Sequence, residues 1–95
     1  MTVRSLTFAD FAPRLGKPFT VQAQNGTIQL TLAQAKELPR SMREGGSFWL
    51  EFLGPAQRPL GQGTYRFMID NRPFEIFIVP IGQAEGQLRY EAVFY

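Results

Sequence analysis

Residues 17–32, KPFTVQAQNGTIQLTL, alternate apolar and polar side chains on both sides of an Asn-Gly pair. No other stretch restricts the fold so tightly. A two-residue period sets Phe19, Val21 and Ala23 on one face of a strand, and Ile28, Leu30 and Leu32 on one face of the next. Asn25-Gly26 is the favoured pair for a type I′ hairpin turn. Centred there, the hairpin pairs Ala23 with Ile28, Val21 with Leu30 and Phe19 with Leu32, apolar against apolar throughout. The chain must build an antiparallel sheet with one oily face, and the remaining sequence must hide that face.

Four later segments extend the sheet. In SFWLEFLGP, Phe48, Leu50 and Phe52 share one face, and Trp49, Glu51 and Leu53 the other. TYRFMI and PFEIFIV read as a second hairpin about Asp70-Asn71-Arg72-Pro73, pairing Ile69 with Phe74, Phe67 with Ile76 and Tyr65 with Ile78. QLRYEAVFY keeps its charges out of the core when Tyr90 opposes Ile78, Ala92 opposes Ile76 and Phe94 opposes Phe74, leaving Gly82 to Gly86 as the loop. PRSMREGG (39–46) and AQRPLGQG (56–63) read as irregular connections.

At the start, Thr7 is an N-cap with Asp10 three residues on, and Leu6 and Phe11 have the spacing of a hydrophobic staple. Pro13 limits the helix to one or two turns, with Phe8, Phe11, Ala12 and Leu15 on one side. The predicted fold is mainly β: one domain, with residues 1–16 a helical plug and residues 17–95 a small antiparallel six-stranded, partly open barrel or roll of meander order. Ninety-five residues suffice for one such core without disulfides or metals.

Composition narrows the chemistry. The chain has no Cys and no His, which removes the strongest nucleophile and the commonest general base. Glu51, Glu75 and Glu91 fall on neighbouring strands of the reverse face, where they read as surface charges paired with Arg66 and Arg89 rather than as a hydrolytic pair. No catalytic, cofactor-binding or metal-ligating residues are expected, and the reading is non-enzymatic. A net charge of +2, with Arg spread over separate loops, is too little for strong phosphate binding. A nucleic-acid-binding barrel is the alternative reading, with Trp49, Phe77 and Tyr90 as stacking platforms, although Tyr90 is expected in the core. A small-ligand-binding barrel is another, if the barrel holds a cavity. MTVRSLTFADF has no apolar signal core and no apolar run reaches membrane-spanning length, so the default expectation is a cytoplasmic product. Export by a route without a cleavable signal stays open.

One feature resists a purely internal explanation. On FEIFIV the reverse face carries Phe77 and, next along the strand, Val79, where a half-wetted strand would carry polar residues. Trp49, Leu53 and Met68 lie on the same face of other strands. Part of this face could be covered by the N-terminal segment or the 55–63 loop. Full cover is not expected, and Trp49, Leu53, Met68, Phe77 and Val79 are the candidate interaction face for a protein partner or a second copy.

LTFADFAPRLGKPF, FWLEFLGP with PLGQGTYRF, and FEIFIVPIG with LRYEAVFY occur in an order that resembles the bacterial family called domain of unknown function 6916. The resemblance spans essentially the whole chain and implies no catalytic residues. It also implies a gene neighbourhood of tail-collar type fibre proteins, and so a structural or interaction module in a larger, phage-tail-like bacterial assembly.

Overall fold

The computed structural model describes residues 6–24, 26–39 and 46–94. Helix α1 (Phe8–Phe11) runs directly into a 3-10 turn (Ala12–Arg14), the change falling where Pro13 can donate no backbone hydrogen bond. The Asp10 carboxylate accepts from the Thr7 backbone N–H at 2.7 Å and from the Thr7 hydroxyl at 3.1 Å, which fixes the start of the helix. Six strands follow: β1 (Pro18–Ala23), β2 (Gly26–Glu37), β3 (Phe48–Pro55), β4 (Gly63–Ile69), β5 (Arg72–Ala84) and β6 (Gln87–Phe94). All neighbours are antiparallel.

The sheet closes completely, in the order β1-β2-β3-β6-β5-β4. The six antiparallel strands and the short helix are those read from the sequence. Closure goes beyond the partly open form, and the meander order breaks at one connection. After β3 the chain crosses the barrel end and begins β4 beside β1, so β3 meets β6 instead of β4. Bulges at Ala33 in β2 and Ile81 in β5 interrupt their ladders, and such extra residues bend strands enough to close a small barrel.

All three predicted hairpin registers are displaced by two residues. Phe19 opposes Leu30, Phe67 opposes Phe74, and Tyr90 opposes Pro80. A slip of two keeps every side chain on its face, so the hydrophobic pattern cannot detect it. The turns decide instead. Asp70 and Asn71 both have positive φ, 53° and 63°, and form a two-residue type I′ loop, so Arg72 and Pro73 belong to β5. Pro73 is tolerated because its pair with Met68 neighbours the loop-closing Ile69–Arg72 pair, and alternate pairs exchange no hydrogen bonds. Glu85 and Gly86, with φ of 51° and 80°, make the next two-residue loop. In the first hairpin Gly26 pairs with Ala23, and the turn expected at Asn25 itself lies outside the described residues. So does most of the 39–46 connection.

Gly26 keeps its importance for a different reason. Its φ is +122°, while a Cβ built there would meet nothing within 4 Å. Gly26→Ala is therefore expected to destabilise by about 1–2 kcal/mol through backbone strain alone, measured as a lower urea midpoint at unchanged slope. An unchanged midpoint would show that the hairpin relaxes freely at this residue.

The core sits inside the barrel. Phe19, Phe52 and Phe67 meet across its axis, with ring centroids 5.6 Å apart for Phe19–Phe52 and 5.1 Å for Phe52–Phe67. At one mouth the helix inserts Phe11, fully buried, against Phe19, Phe48 and Phe94 at 5.9, 5.7 and 6.1 Å. Arg14 ties the plug to the β4–β5 turn through Asp70 at 2.7 Å. Leu15, expected on the plug's inner side, is 49% exposed, because the chain has left helical geometry by that residue. The opposite mouth is spanned by the β3–β4 crossing segment, whose Leu60 rests on the core. Gly54 makes room there: a Cβ on it would lie 2.5 Å from Leu30 and 3.3 Å from Tyr90. Among the described residues no helix is long and apolar enough to cross a membrane.

Candidate interaction face

Outward-pointing residues of β5, β6 and β3 form rows across the sheet. Val79 opposes Glu91, and Glu91 opposes Glu51. Trp49 and Val93 make the pair on one side of that row, Leu53 and Arg89 the pair on the other. Trp49, Leu53 and Val79 thus surround one cluster of charges, and all three are half-buried. Phe77, the next outward residue before Val79, is 51% exposed. Met68 does not join them. It opposes Pro73, whereas Phe77 opposes Thr64, so the Arg66–Glu75 pair and about 13 Å of strand separate the two.

The charges at the centre are organised beyond what strand periodicity conveys. Glu51 points away from the barrel axis yet is only 4% exposed. Its Oε1 and Oε2 accept from Arg89 Nη2 at 2.8 Å and Nε at 3.2 Å, a two-pronged charge-assisted contact. Trp49 Nε1 donates to Glu91 Oε2 at 3.1 Å, laying the indole along the sheet. The hydrogen bond to Glu51 raises the Arg89 pKa above its ordinary value, desolvation opposes the shift, and the Glu51 and Glu91 charges add to it. Glu51 needs this geometry held, because losing Arg89 would strand its desolvated charge, whereas the Arg89 side chain stays partly in water. Arg66 and Glu75, 3.3 Å apart and exposed, are an ordinary surface pair.

The expected Arg89 and Arg66 pairings are both present, but Glu51 is buried, not solvated. The Trp49–Glu91 bond was not legible in the sequence, because it requires β6 to lie beside β3. Among the described residues neither expected internal cover reaches this face: helix α1 occupies one mouth and the crossing segment the other, while residues 1–5 of the N-terminal segment lie outside the described residues.

The segments that carry the sequence resemblance are largely those that close the barrel. Thr7, Asp10 and Phe11 build the plug, while on β6 Tyr90 is buried in the core and Phe94 packs against it beside Phe11. Residues 6–94 match the family described as domain of unknown function (DUF6916). The chain belongs to that family. No curated protein and no solved structure matches it. In this DUF6916 chain the match runs through every strand of the barrel, so the outer face belongs to the same domain as the core.

Proposed function

We propose that the barrel is a non-enzymatic interaction module that docks a protein partner on the outer face of β5, β6 and β3, as part of a larger assembly. The exposed ring of Phe77 carries this reading. It stands beside Val79 on a strand whose other face is already buried, while both mouths of the barrel are closed by the chain's own connections. A large exposed aromatic next to an ordered aromatic–charge cluster has the make-up of an interface centre. Nucleic acid fits less well. The outer strands present Glu51, Glu75 and Glu91 against Arg66 and Arg89, an arrangement that repels phosphate more than it attracts it.

Phe77→Ser tests the reading. The isolated variant is expected to melt within about 0.5 kcal/mol of wild type, as exposed substitutions do. Its association, with itself by light scattering or with a partner captured by the wild-type protein, is expected to fall about tenfold or more, since interface aromatics dominate binding. A partner held equally by the variant would overturn the assignment of this face. So would a wild type that stays monomeric and partnerless with a variant that melts far lower.

A further inference from the structure

The β3–β4 crossing segment does more than close a mouth. Beside it lies a cleft of about 430 Å³, lined by residues 58–61 of the segment and by Ala23, Gln24 and Tyr65 from β1, its turn and β4. We propose that this cleft binds a small carboxylate bearing an apolar body.

Size and rigidity come first. The volume falls within the roughly 300–1,000 Å³ typical of small-molecule sites. Although the segment is irregular, it is bolted down at successive points. Arg58 Nη1 donates to the Thr27 carbonyl at 3.0 Å, the Tyr90 hydroxyl accepts from the Leu60 N–H at 2.9 Å, and the Tyr65 hydroxyl donates to the Gly61 carbonyl at 2.9 Å. A loop held by three side-chain bonds presents a preformed wall, which reduces the ordering cost of binding.

The lining then selects the ligand. Among the described residues that line it, Arg58 is the one formally charged side chain, and none is a carboxylate. Arg14, Arg66 and Arg89 each pair with an acid, but among the described residues Arg58 bonds only a carbonyl. A guanidinium carries five N–H donors in a planar fork, so the bond to Thr27 orients it and leaves donors for a carboxylate. Gln24 adds an amide beside it, and Pro59, Leu60 and the Tyr65 ring supply an apolar patch within a lining that is otherwise more polar. One cation beside an apolar patch suits a monoanion carrying a hydrocarbon or aromatic body. Inorganic phosphate would leave that patch unused.

The test is a ¹H–¹⁵N NMR titration of the full chain with N-acetyl-leucine, the uncharged N-acetyl-leucinamide and inorganic phosphate. Saturable shifts are expected at the amides of Gln24, Leu60, Gly61 and Tyr65 with the acid. Binding of the amide should be weaker by about tenfold or more, the equivalent of one charge-assisted hydrogen bond. Arg58→Gln should remove the response while Arg72→Gln keeps it. If Arg58→Gln does not fold, the acid–amide difference on the wild-type chain decides alone. A peptide ending in leucine separates two sources: tighter binding than N-acetyl-leucine marks a protein C-terminus, and no gain marks a free acid. Equal response to acid and amide, shifts away from the cleft, no shift at all, or phosphate binding as well as the acid would each overturn the proposal. None of these outcomes touches the Phe77 face, so the two readings fail separately.

Discussion

Phe11→Ala is expected to lower the stability of the barrel by about 3–5 kcal/mol, the usual range for truncating a fully buried phenylalanine. The ring is completely buried and stands between Phe19, Phe48 and Phe94, which belong to β1, β3 and β6. No strand side chain can move in to replace it, because the plug enters from a separate element at the barrel end. For a domain this size each kcal/mol shifts the melting temperature by about 4–8 °C, so thermal and urea melts should both show a drop well outside error. Leu15→Ala is the control. That residue follows the same helix but is 49% exposed, and its loss should stay within about 0.5 kcal/mol. Equal, small effects from both would mean the helix rests on the barrel without sealing it.

The second large effect lies at the other mouth. Tyr90 is fully buried at an inward position of β6, and its hydroxyl accepts the Leu60 N–H at 2.9 Å. Tyr90→Ala removes both ring and anchor and is expected to cost about 3–5 kcal/mol. Tyr90→Phe keeps the ring and leaves the Leu60 N–H unsatisfied, for about 1–2 kcal/mol. The pair separates the packing of the barrel end from the fastening of the crossing segment. If the phenylalanine variant melts like wild type, water replaces the hydroxyl and the segment is held by its other bonds.

These two residues also mark the border of what the sequence conveys. Thr7, Asp10, Pro13 and Phe11 act within a few residues of one another, so cap, helix length and plug were readable from local chemistry. The strands and their faces were readable because a two-residue period is local as well. Register was not, since pairing Phe19 with Leu32 or with Leu30 buries the same side chains. Still less readable was which strand neighbours which. The crossing after β3 is decided by how the whole barrel closes, and the burial of Glu51 and the Trp49–Glu91 bond depend on it. Of the candidate face, Trp49, Leu53, Phe77 and Val79 lie as a surface around that cluster, while the register correction carries Met68 away from it.

The crossing after β3 has a mechanical side. It divides the barrel into two sequential three-stranded halves, β1-β2-β3 and β4-β5-β6, each of which leaves its oily face bare until the other arrives. Among the described residues the halves meet along two unequal joins: eight residue pairs from Phe48–Phe94 to Pro55–Gln87, but only Val21–Phe67 and Gln22–Arg66 between β1 and β4. A cylinder fastened in this way has a hinge on one side and a latch on the other. By backbone pairing the latch is the weaker join, so amide exchange is expected to be faster at Val21, Gln22, Arg66 and Phe67 than along β3–β6. Ala23 and Tyr65, from the two latch strands, both line the crossing-segment cleft, so a ligand of the proposed kind would bridge the latch.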